Sequence, residues 1–253
     1  MRSISRKIRG SLVVPAIIAL TAMSAAPAIA QTAPTDKDAV EKIVRDYILK
    51  NPEIIAEAIQ RLQQKKKMAE AAADIQLLAS NRAELINDPT SPVGGNVKGD
   101  VTVVEFFDYR CGVCKRIHPI VNQLVKTDPK IRRVYKQWPI LGANSVLAAR
   151  AAIASRKQGK YLSFHKVMME ANSSFGESAI MGMAESVGID TSKLRQDMRS
   201  AETNAVIRKN YALAEKLKLN GTPSFVIGDT LLRGGRDLKS LRAIVAEARA
   251  RKK

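Results

Sequence analysis

Cysteine is nearly absent from this 253-residue chain, which has two, Cys111 and Cys114, together with two histidines and one tryptophan. Two cysteines three residues apart cannot build a disulfide framework, because no distant partner is left to cross-link. A structural zinc site needs four ligands, and only Cys111, Cys114, His118 and the distant His165 are on offer. Haem attachment requires C-x-x-C-H, and residue 115 is lysine. Acidic residues are also scarce, 24 against 42 lysines and arginines, for a net charge of +18. Such an excess can signal nucleic-acid binding. Here the cations are spread along the chain and aromatics make up 4% of it, so no nucleic-acid partner is expected. Acidic unfolded clients or anionic membrane surfaces suit this charge better.

The N-terminus bears on where the chain works. Arg2, Arg6, Lys7 and Arg9 precede an apolar stretch from Ser11 to Met23, and Ala28-Ile29-Ala30 follows as an A-x-A cleavage pattern. This reads as a cleavable export signal over residues 1–30, with a mature chain starting at Gln31. The uncharged stretch from Gly10 to Thr35 is long enough to span a membrane, but Pro15, Pro27 and the many small residues favour cleavage over anchoring. No cysteine follows the apolar core, so a lipoprotein anchor is not available. The mature product, 223 residues with a charge of +14, is expected in an oxidising envelope compartment, the periplasm, without stable membrane insertion.

Residues 36–80 read as helix. Val40, Ile43, Val44, Tyr47 and Ile48 follow a helical period, and Asn51-Pro52 restarts it, with Asn51 as N-cap and Pro52 at the first helical position. Ile55, Ile59 and Leu62 then form a coiled-coil-like seam, which Lys65-Lys66-Lys67 interrupts. From Pro52 to Ser80 a continuous helix would be roughly 40 Å long. Its apolar stripe suits either packing on the rest of the chain or self-association. The turn-rich run Asp88 to Asn96 marks a domain boundary. Beyond it, strands are predicted at Val101–Phe107, Arg132–Trp138, Ser224–Ile227 and Thr230–Leu232, the last two joined by Gly228-Asp229 as a hairpin. A helical block fills about 141–219, with breaks at Gly159, at 173–176 and at 188–190, and Asn220-Gly221 as its C-cap. Asp237 or Ser240 opens the closing helix. The organisation is thus residues 1–30 signal, 31–87 helical oligomerisation segment and linker helix, and 88–253 catalytic domain. The fold class is α/β with a helical insertion.

The chemistry sits where Val101–Phe107 delivers the C-x-x-C onto a helix start. A helix N-terminus stabilises a thiolate, so Cys111 is the candidate attacking thiol and Cys114, one turn in, the buried resolving thiol. Arg110, Lys115 and Arg116 add positive charge that solvent should screen in large part. Thr222-Pro223 fits a cis-proline loop that pairs with an extended client. It equally fits an ordinary trans proline opening an edge strand, and spacing alone favours the latter. Glu105, six residues before Cys111 in an apolar strand, is either a buried acid that exchanges protons with Cys114 or an exposed edge residue. His118, on the helix face of Cys114, either tunes the thiols or is simply packed beside Pro119.

Glu105-Phe-Phe-Asp-Tyr-Arg-Cys-Gly-Val-Cys-Lys-Arg-Ile-His-Pro119, with Gly221-Thr-Pro-Ser-Phe225 downstream, resembles the DsbA family of thioredoxin-fold proteins from roughly Val93 onward. The resemblance implies a thioredoxin fold with an inserted helical domain. It also implies that Cys111 is the nucleophile, that Pro223 is cis and that Glu105 is the buried acid. The N-terminal stretch Tyr47-Ile-Leu-Lys-Asn-Pro-Glu-Ile54 is similar to that of ScsC-like proteins, which oligomerise through N-terminal helices, trimers being known, and are linked to copper tolerance. Gly112-Val113 between the cysteines, and threonine before the proline, look more like the disulfide isomerases than the monomeric oxidases of the family.

The expected activity is therefore reduction or isomerisation of disulfides in exported proteins, with no cofactor, a membrane redox partner and homo-oligomerisation through residues 36–80. A dithiol oxidase is the alternative among enzymes. A copper-binding protein, holding Cu(I) on Cys111 and Cys114 with or without His118, is the alternative from another class.

Overall fold

The computed structural model describes residues 37–251, and the export signal read at residues 1–30 lies outside them. The chain divides between Ala58 and Ile59 into two compact units.

The first unit holds α1 (Lys37–Lys50) and the start of α2 (Glu53–Ser80). Val40, Ile43, Val44 and Tyr47 are all exposed along α1, and none of its residues is buried. Asn51 does not cap the second helix as expected. Its side chain donates to Tyr47 O at 2.8 Å, so it closes α1 instead, and Pro52 sits just ahead of α2. α2 passes through Lys65–Lys67 without a break, since lysine is a good helix former when its charge is solvated.

In the second unit α2 gives way to α3 (Arg82–Ile86), and Leu77, Leu78, Leu85 and Ile86 pack with sheet residues. The run expected as a boundary is built into this unit: Asp88 is buried and β1 (Val93–Gly95) joins the sheet. A three-residue strand with two glycines carries too little pattern to be seen in sequence. β2 (Val101–Phe107), α4 (Gly112–Thr127) and β3 (Ile131–Gln137) form a crossover unit, with β2 and β3 parallel. The inserted block comprises α5 (Ala143–Ala154), a 3-10 turn (Ser155–Gln158), α6 (Tyr161–Glu170), α7 (Glu177–Ser186), α8 (Thr191–Met198) and α9 (Ala201–Lys216). β4 (Ser224–Ile227), β5 (Thr230–Arg233) and α10 (Leu238–Ala250) close the fold, α10 being capped by Asp237, which accepts from Ser240 N. α9 ends earlier than Asn220-Gly221 would place it, with Lys218 taking the left-handed conformation at φ 52°.

The mixed sheet runs β1-β3-β2-β4-β5, all pairs but β2–β3 being antiparallel. This is a thioredoxin-like sheet with a helical insertion between β3 and β4. β2 is covered on both faces, which explains its nearly continuous apolar sequence. Val101 and Val103 pack with α4 and α10, while Val104 and Phe106 pack with Leu85, Trp138 and Leu213. Phe107 faces the insertion among Tyr109, Tyr135 and Phe164. Glu105 shares the face of Val103 and Phe107, toward α4.

Candidate active site

β2 ends at Phe107, and a four-residue turn delivers the chain into α4. Asp108 shapes that turn. Buried itself, it accepts from Arg110 N at 2.8 Å and from Leu141 N at 2.9 Å, and its carbonyl accepts from Cys111 N at 3.1 Å. Arg110 adds a bond to Leu141 O at 2.5 Å, so the turn is fastened to the segment after β3.

Cys111 is the N-cap of α4, the position at which a side chain meets the unsatisfied amides of the first turn. Its sulfur accepts from Cys114 N at 3.2 Å and lies 3.3 Å from Thr222 O. The Thr222–Pro223 peptide is cis, as the family resemblance implied and spacing alone did not. Cys111 is 6% exposed, and Cys114 is fully buried. Their acidities diverge accordingly. Cys111 is lowered to about 6: the Cys114 thiol donates to it, burial opposes, and Thr222 and the amides of Cys114 and Val113 add to the lowering. Cys114 is pushed far up by burial and by its bond to Cys111. One sulfur is thus readily ionised and the other is held as a thiol.

Glu105 lies beneath the pair, fully buried. The lone acid expected there has a partner. Arg133 donates to its Oε2 from Nη2 at 2.5 Å and from Nε at 3.1 Å, while Oε1 has no hydrogen-bond partner. Arg133 was missed in sequence, although a signal existed. Glu105 is the one acid in the apolar strand β2, and β3 carries three cations; in the parallel register, where Glu105 faces Tyr135, Arg133 is the cation that shares its face.

His118 is buried. Arg133 Nη1 donates to Asn122 Oδ1 at 2.8 Å, so the Asn122 amide is turned to donate to His118 Nε2 at 2.9 Å. Neutral His118 then carries its proton on Nδ1, which has no partner. Burial and the Arg133 charge lower it to about 4. Its ring packs 5.2 Å from that of His165, which lies within 2.9 Å of the Tyr109 hydroxyl and is held neutral by burial. The chain's two histidines are therefore neighbours, brought together by α4 and α6. Among the described residues no three His, Cys, Asp or Glu side chains gather where one metal ion could sit.

Lys115 departs from expectation. Rather than standing in solvent, it is half-buried, and its ammonium donates to Ala171 O at 2.7 Å, Met168 O at 3.0 Å and Met169 O at 3.3 Å.

Residues 102–246 match the DSBA-like thioredoxin domain, and residues 36–69 match the N-terminal domain of the copper resistance protein ScsC. A thioredoxin-like oxidoreductase from Silicibacter pomeroyi is 49% identical, covering 68% of this chain and 99% of that one, at a TM-score of 0.66. Proteus mirabilis ScsC in a transitional conformation is 32% identical over 88% of this chain and 99% of its own, at a TM-score of 0.65. Among curated proteins, the thiol:disulfide interchange protein DsbA of Bordetella parapertussis is 28% identical, covering 54% of this chain and 68% of that protein. The chain also matches a Na(+)/H(+) antiporter of Salinispora arenicola, of which it spans only 26% of the length.

Proposed function

Since this chain belongs to the DsbA-like thioredoxin family of thiol–disulfide oxidoreductases, we propose that it reduces or isomerises disulfides of exported proteins in the periplasm, as a homo-oligomer. The observation that carries the reading is the position of the Cys111 sulfur, at a helix N-cap and 3.3 Å from Thr222 O.

The Cys111 thiolate attacks one sulfur of a client disulfide. A mixed disulfide forms, and the other client sulfur leaves as thiolate. In isomerisation a second client thiolate attacks the client sulfur of the mixed disulfide and restores the Cys111 thiolate. In reduction Cys114 attacks the Cys111 sulfur, the client leaves as a thiolate, and the enzyme becomes the disulfide. Cys114 must give up its proton in that step, and the free Oε1 of Glu105 is the acceptor we assign. Thr222 is the docking residue whose backbone an extended client pairs with, Pro223 completing the loop.

The exposed apolar row Val40, Ile43, Val44 and Tyr47 supports self-association through residues 36–80. Several active sites in one assembly raise the effective concentration around a misfolded client. Among the described residues no helix is long and apolar enough to cross a membrane. The redox partner we assign is a membrane protein that resets the cysteine pair.

One observation favours a second reading. The likeness to the thiol:disulfide interchange protein DsbA of Bordetella parapertussis makes a dithiol oxidase the rival, whereas a Cys111 near 6 lies closer to the value of about 7 for thioredoxin than to that of about 3.5 for the strong oxidant DsbA. Repair of scrambled ribonuclease and oxidation of reduced ribonuclease, each with the mature protein and with a form lacking residues 31–58, separate the two. Isomerisation predicts that repair falls in the shortened form. Unchanged, weak repair beside strong oxidation selects the oxidase.

A further inference from the structure

The carboxyl end of α6 points its last carbonyls at the active-site helix. The final turn of a helix carries a partial negative charge, ordinarily balanced by a basic residue of its own, and α6 has none there. The balancing cation comes from another element. Lys115, the residue after Cys114, sends its ammonium across to Met168 O, Met169 O and Ala171 O, using all three donors, and rests 4.8 Å from the centre of the Phe175 ring.

The segment held this way is unusual. Residues 171–176 have no regular secondary structure, and Phe175, fully buried against Tyr109, adopts φ 58°. A phenylalanine in the left-handed region stays there only when its surroundings fix it. The Lys115 ammonium and the Tyr109 ring are two of the contacts that do so.

We propose that Lys115 is a positioning residue of the exchange reaction, clamping the active-site helix to the end of α6 and neutralising that end's negative pole beside the Cys111 thiolate. The inference rests on the thiol-exchange reading above. Two physical effects act in the same direction. Losing the cation removes a positive charge from the first turn of α4, and it uncovers carbonyl dipoles that repel a nearby thiolate. Lys115 is itself lowered by burial and held up in part by Cys114, Asp108 and Cys111.

The test uses the full mature protein in reduced form, following thiolate absorbance and the alkylation rate at Cys111 against pH. Lys115→Gln keeps donors for the carbonyls but no charge, Lys115→Met keeps neither, and Lys115→Arg keeps the charge. Lys115→Gln and Lys115→Met should raise the Cys111 midpoint by about half a unit, about three-fold in ionisation constant, with Lys115→Arg close to wild type. The reduction potential should become more negative in the same order. If Lys115→Met does not fold, Lys115→Gln decides alone. A folded Lys115→Gln with the wild-type midpoint and potential overturns the inference, whatever its stability. A wild-type midpoint at an ordinary thiol value sinks the exchange reading itself, a result no Lys115 variant can imitate.

Discussion

Glu105 and Arg133, two residues out of register on adjacent parallel strands, form a fully buried ion pair directly beneath the active-site helix. Removing one member leaves the other as an uncompensated interior charge. Arg133→Met or Glu105→Leu should therefore each cost about 3–5 kcal/mol in urea unfolding, while the double replacement recovers most of that loss. Additive losses in the double variant would show that the two do not act as a pair.

The Cys111 midpoint sets the pH dependence of exchange. Alkylation of the reduced protein should rise with pH around 6, and Cys111→Ser should abolish the rise. His118, near 4, is neutral throughout that range, so His118→Asn should leave the break in place. Linkage gives a second readout. Between about 6 and the ordinary thiol value of 9.0 the unfolded chain holds a proton that the folded protein lacks. The Cys111 contribution to the stability of the reduced form should thus climb across that window, be complete above 9.0 and be lost as pH falls through 6. Urea midpoints of reduced and oxidised protein at three pH values check this, and a constant difference between them contradicts it.

Asp88 governs the acid limb on the opposite face of the sheet. Burial would raise it, but hydrogen bonds from Thr90, Lys209 and Lys136 hold it well below the usual carboxylate range. A carboxylate depressed on folding stabilises above its unfolded value of 3.8, and that contribution disappears as pH drops toward its folded one. Asp88→Asn should lower stability at neutral pH and flatten the loss on acidification below pH 4. An acid limb identical to wild type would remove Asp88 from the account.

Self-association should depend on the apolar row of α1. Ile43→Asp with Val44→Asp puts two charges into it, and light scattering of the mature protein should show monomers, with the alkylation profile at Cys111 unchanged. An unaltered mass would place the interface elsewhere.

Much of this fold was legible because its strands are local patterns. Val101–Phe107 and Ser224–Ile227 stand where the apolar runs put them, and Asp237 caps the last helix as its side chain allows. What stayed hidden depends on partners far apart in the chain. Glu105 reads as a lone acid until β3 lies beside β2, and Lys115 reads as a solvated cation until α6 is placed against α4. The cis state of Pro223 came from likeness to a family, since local sequence does not select it. Lys218, a lysine in the left-handed region, was passed over in favour of the glycine three residues on, where backbone freedom is the stronger signal.

Lys136 sits in the interior with its ammonium on Glu84 O and on Asp88, and Leu78 and Leu85 fill the layer beside it. A trimmed version of this enzyme that started at the turn-rich run 88–96 would take the Glu84 carbonyl from that amine and open a hole next to Phe106. The shortest self-sufficient piece must begin upstream of Leu77, so the tail end of the long helix is part of the catalyst's own foundation.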